Sequence, residues 1–179
     1  MERSRLQDDW MASLDASAQG RAQRLVERFK QLDAPDAEKW ARSEMIEDIP
    51  QLARFLLLRR LWREEIDVYR DSSEWISSRI RAAEREPNGP FADAGFAMKR
   101  LLNAGVPEEE IKSIARDVAC SAIFATLSTL DEMGDPDIEA PGWMLVETNR
   151  HGEATGRSLD DLHASLLSAD PSGREGRPR

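Results

Sequence analysis

The chain has 179 residues, 40% hydrophobic and 33% charged, with a formal net charge of -9. That is enough for a sizeable core with a heavily charged surface, and it excludes an intrinsically disordered chain. An acidic surface repels nucleic acid and anionic membrane, so it points to solubility or to a basic protein partner, with no nucleic acid and no membrane.

The single cysteine, Cys120, allows no intrachain disulfide and reads as a structural thiol, which fits a reducing, cytoplasmic setting. The first ten residues, MERSRLQDDW, place acids where a secretory leader needs an apolar core. No apolar run approaches the roughly 20 residues that span a bilayer.

In chain order, residues 4–32 read as one or two amphipathic helices, with Leu6, Trp10 and Leu14 four apart and Ala22, Leu25, Phe29 and Leu32 on one face. After the break at Ala34-Pro35, residues 36–47 form a shorter helix with Trp40 and Ile46 on its apolar side. Asp48 and Pro50 open the next helix, which runs to about Tyr69 through Phe55, Leu58, Trp62 and Ile66. Its charged side offers the pairs Arg60–Glu64 and Arg63–Asp67. Asp71, three residues before Glu74, predicts a capping box for a helix over 72–86. Residues 91–104 are helical again, with Phe91, Met98 and Leu102 as apolar positions and Gly105 as the cap.

The most apolar stretch follows, over 107–133. Pro107 and the acids Glu108, Glu109 and Glu110 suit a helix N-terminus, and Gly134 suits its end. From Val118 on, nearly every residue to Leu127 is apolar or small, which predicts a central helix covered on most sides. After a loop the period changes. Residues 143–148 predict a strand, Asn149 to Gly152 a turn, and 154–157 a returning strand, so a hairpin over about 143–157. Ser158 is expected to cap a last helix carrying Leu159, Leu162, Leu166 and Leu167. The fold expected is mainly α: a single-domain bundle of six or seven helices over 1–169, around the helix at 107–133, with a small C-terminal β-hairpin. Residues 170–179 lack apolar side chains and are expected to be a disordered tail.

The chemistry-bearing patterns are few. Leu101 to Ile111, two helices about a glycine turn, resembles a helix-turn-helix, a DNA-binding reading. The end that would enter a groove carries Glu108, Glu109 and Glu110 facing phosphates, so two packed helices with a tight corner is the reading taken. Glu44-x-x-Glu47 and Glu64-x-x-Asp67 resemble the acidic pairs of all-helical nucleotide pyrophosphohydrolases of the MazG type. That resemblance implies a Mg²⁺ site formed by Glu44, Glu47, Glu64 and Asp67, and Mg²⁺ as the cofactor for water attack on a nucleotide's phosphates. It covers only residues 44–67, and Ser43 stands where the family has a further acid.

His151 sits in a turn, and His163 follows Asp160 by three in what reads as a surface contact. Asp131, Glu132, Asp135, Asp137 and Glu139 read as a solvated acidic loop without Ca²⁺-loop spacing. No nucleophile motif or phosphate-binding glycine loop occurs. With no catalytic set and no other cofactor in view, the function expected is protein–protein contact, antitoxin-like or as an adaptor. A basic partner suits the charge, and five tryptophans in a helical chain also suit a homo-oligomer.

Overall fold

The computed structural model describes residues 9–132 and 141–177. It is mainly helical with one two-stranded antiparallel sheet, as the sequence predicts. The helices are α1 Asp9–Ala12, α2 Ala16–Gln31, α3 Ala37–Glu47 and α4 Gln51–Leu61. A π-helical turn, Trp62–Ile66, leads into α5 Val68–Asp71. Then come α6 Glu74–Arg85, α7 Ala92–Asn103 and α8 Glu108–Asp131. The hairpin is β1 Val146–Thr148 and β2 Ala154–Ser158, and α9 Leu162–Ser165 precedes a 3₁₀ turn, Leu167–Ala169. No helix among the described residues is long and apolar enough to cross a membrane. The chain divides into two compact units, Met1–Arg59 with Thr126–Arg179, and Arg60–Ala125.

In the first unit, carboxylates set where helices begin. Asp15 accepts from the Ala18 N–H at 2.8 Å and Asp36 from the Lys39 N–H at 3.1 Å, each satisfying an orphan donor of a first turn. Asp48 does not open α4. It ends α3 in the left-handed region (φ 54), which an aspartate tolerates better than most residues. The core is built on three rings. Phe29 and Trp40 stack at 6.1 Å, and Phe55 meets Phe29 at 5.6 Å and Trp40 at 5.3 Å, both edge-on. Leu58, Leu162 and Leu166 are fully buried in the same unit.

The hairpin closes where Asn149 accepts from the N–H groups of His151 and Glu153, and Gly152 takes a positive φ. Pairing runs from Val146–Ser158 to Thr148–Ala154, so β2 carries extra residues, absorbed as a bulge at Gly156 (φ 88). Ser158 ends β2 and bonds Asp160; it does not cap α9, which starts after Asp161.

Residues 170–177 form turns about the Asp170 carboxylate, which is buried and accepts from the N–H groups of Ser172 (2.9 Å) and Gly176 (2.8 Å). A buried carboxylate satisfied in this way holds the local turns together.

In the second unit, Trp62, Ile66, Ile76, Ala83 and Ile111 are buried, and Trp75 stands edge-on to Tyr69 at 5.2 Å. Asp71 ends α5, and the hydroxyl of Ser72 accepts from the Glu74 N–H (3.0 Å), so no capping box forms there. Phe91 is left-handed (φ 59) and 75% exposed, outside the first turn of α7. Gly105 takes φ 83 after α7 and gives the tight corner into α8.

The largest difference concerns α8. It begins where the reading places it, but its apolar run is covered only in part: Leu127 is buried, whereas Ile114 is 64%, Val118 60% and Phe124 45% exposed, and Ala122 is exposed too. Apolar composition says how much a residue would gain from burial; it does not provide a neighbour to bury it. Gly134, the acids Asp135, Asp137 and Glu139, Leu6, and residues 178–179 lie outside the described residues.

Candidate functional site

The four acids of the nucleotide-hydrolase pattern are each engaged. Glu44, on α3, accepts from the Leu52 N–H at 2.7 Å and from Arg157 of β2 at 3.4 Å. Glu47 accepts from the Ser43 hydroxyl at 3.0 Å. Glu64 pairs with Arg60 at 2.8 Å on the surface. Asp67 is buried and takes Arg116 at 2.9 Å and Arg70 at 3.1 Å. Glu44 and Glu47 belong to the first unit, Glu64 and Asp67 to the second. Among the described residues no group of three or more His, Cys, Asp or Glu is placed to hold a metal ion.

Burial raises the Glu44 carboxyl above the ordinary glutamate value of 4.5, against the opposing pull of the Leu52 N–H and of Arg157. A carboxyl whose folded value is raised favours the fold while protonated. That contribution is complete below about pH 4.5 and is lost as pH rises through the folded value. Glu44→Gln keeps an acceptor for Leu52 but cannot ionise. The melting temperature of the variant minus that of wild type should therefore climb as pH rises from about 4.5 and then level. A difference that stays flat or falls between acid and neutral pH rejects this account.

Two polar contacts had little sequence signal. Asp131 is not in a solvated loop: it is the last residue of α8, and its largely buried carboxylate meets His163 Nδ1 at 2.6 Å. Arg54 is 4% exposed and donates to Gln51 Oε1 (3.2 Å), the Asp161 carbonyl (2.8 Å) and the Ser165 hydroxyl (2.9 Å). A guanidinium here costs desolvation, which lowers its pKa. The signal that could have found it is position. Gln51, Arg54, Phe55 and Leu58 fall on one helical face, and all four are buried.

The outward side of α8 is an exposed apolar feature of the second unit. Ile111 faces inward. Arg116 is held by Asp67 and lies 5.3 Å from the centre of the Trp62 ring, a cation–π contact beside the π-helical turn. Lys112 is tied to Glu109 at 2.9 Å and is mostly covered. Opposite Arg116, Ile114 and Val118 project into solvent one turn apart, next to the exposed Glu110 and Asp117. Over residues 108–125 the exposed charges are thus all acidic, while both basic side chains are tucked into ion pairs.

No protein-family model, no curated protein and no solved structure matches this chain at a significant level.

Proposed function

We propose that the protein acts by protein–protein contact, through the outward face of α8, and that the partner presents a basic, partly apolar surface. The observation that carries this is the pairing of exposed Ile114 and Val118 with exposed charges on the same helix, over residues 108–125, that are all acidic. Apolar side chains grouped on a soluble surface gain by association, and flanking charge of one sign selects the partner and speeds its approach. A second copy fits less well. The exposed charges beside the stripe are acidic at Glu110 and at Asp117, so a symmetric pair would bring acid to acid. Mg²⁺-dependent nucleotide hydrolysis through Glu44, Glu47, Glu64 and Asp67 is the weaker reading, because each of those acids already holds a donor of its own.

The test is capture followed by kinetics. A partner taken from cell extract should be basic, and its association should slow clearly as salt is raised, since the Debye length shrinks from about 10 Å at 0.1 M to about 3 Å at 1 M. Ile114→Lys with Val118→Lys should leave the circular dichroism spectrum unchanged and abolish capture. A partner whose association ignores salt, or whose capture survives the double change, would reject this surface.

A further inference from the structure

Between Glu110 and Ser121, the exposed residues of α8 are Glu110, Ser113, Ile114, Asp117, Val118 and Ser121. Their spacing alternates between three and one, so they share one continuous helical face. That face is two parallel rows, each with a step of four. Glu110, Ile114 and Val118 make a raised row. Ser113, Asp117 and Ser121 run beside it, and the two serines keep that row low at both ends. The rows form a ridge and a groove about 16 Å long, from the helical rise of 1.5 Å per residue. The rest of the helix surface is held in place: Ile111 is buried, Asp67 holds Arg116, and Glu109 holds Lys112. The face is thus preorganised for a partner.

A ridge beside a groove at four-residue steps suits the packing of a second helix. The side-chain rows of one helix settle into the grooves of the other, and two four-step rows cross at roughly 50°. So steep a crossing confines contact to a few turns, which is the length of this face. Charge then selects the helix. Both charged groups of the face, Glu110 and Asp117, are acidic, and neither has an ion-pair partner among the described residues. They stand two turns apart, about 10 Å along the axis. We propose that the partner docks on α8 as a basic amphipathic helix. Its apolar stripe lies along Ile114 and Val118, and Lys or Arg side chains about two turns apart meet Glu110 and Asp117. This rests on the α8 reading above and narrows it from any basic, partly apolar surface to a helix.

Three synthetic peptides of equal length test it, by fluorescence anisotropy against the full chain. The first places Leu at helical spacing among Lys. The second has the same composition and charge but alternates Leu and Lys, the period of a strand. The third is the first with every Lys replaced by Glu. The first should bind with a dissociation constant below about 1 mM, and the other two at least about tenfold more weakly. Glu110→Lys with Asp117→Lys should invert the preference between the Lys and Glu helices, a gain that unfolding cannot produce. Equal binding of the helical and alternating Lys peptides overturns the helix and leaves the α8 reading intact. Failure of both Lys peptides also overturns it, as does a preference that the double charge change does not invert. The α8 reading itself falls only on its own test, if capture survives Ile114→Lys with Val118→Lys or association ignores salt.

Discussion

Phe55→Ala should lower the stability of the protein by about 3–5 kcal/mol, the range for truncating a fully buried aromatic ring. Phe55 is 1% exposed and is the one ring that meets both others of the first unit's core edge-on, Phe29 at 5.6 Å and Trp40 at 5.3 Å. Removing it deletes apolar area and leaves two large rings facing a void they cannot fill without shifting α2 or α3. It also strips the packing beside Arg54, the preceding residue, whose guanidinium depends on a dry surround to hold Gln51 and Ser165. For a chain of this size the loss corresponds to a fall in melting temperature of roughly 10–15 °C. Phe55→Leu keeps most of the volume and should lose less than half as much. Thermal and urea melts of both variants check this. Equal losses, or an alanine variant within a few degrees of wild type, would mean that the ring cluster does not organise this unit.

The elements that could be read from sequence are those fixed by local chemistry. Asp36 and Gly105 mark helix ends because a side-chain acceptor and a left-handed glycine act within a few residues. Asn149 and Gly152 mark the hairpin for the same reason. What could not be read depends on groups distant in the chain. Asp67 looked like an i, i+4 surface partner of Arg63, yet it is buried on Arg116, which lies 49 positions away. Asp131 looked solvated because its neighbours are acidic, and His163 covers it from α9. Arg54 reads as one more surface arginine until its place between Gln51 and Phe55 is seen to be an inward face. The exposure of Ile114 and Val118 is the sharpest case. Periodicity predicts that the segment is helical, and it is, but the same periodicity is written by a helix that buries its apolar face within the chain and by one that offers it to another molecule. That ambiguity is also why sequence alone assigns the candidate interaction surface to the core.

Gly95→Val should be at least as damaging as the loss of the ring, for the opposite reason. Gly95 lies buried on α7 where that helix crosses α6. A Cβ added there would stand 2.5 Å from the Arg79 carbonyl oxygen and 2.7 Å from the Ala83 methyl, both closer than atoms tolerate. Glycine normally weakens a helix interior, by roughly 1 kcal/mol against alanine, so on local grounds alone an alanine would be an improvement. Packing decides otherwise. The nearest obstacle is backbone and cannot rotate away, so the two helices must separate, at a cost of about 1–3 kcal/mol for the first methyl and more for a branched side chain. Gly95→Ala should thus destabilise measurably and Gly95→Val by several kcal/mol, with greater exposure of Ala83 and Ala92 as the crossing opens. A second change, Ala83→Gly, removes one of the two clashes but leaves the carbonyl of Arg79, so it should not rescue Gly95→Ala. Urea unfolding of the single and double variants separates these cases. Full recovery in the double variant would show that the methyl contact, and not the approach of the two backbones, sets the spacing of α6 and α7. A Gly95→Ala variant as stable as wild type would show that the helices can part at no cost.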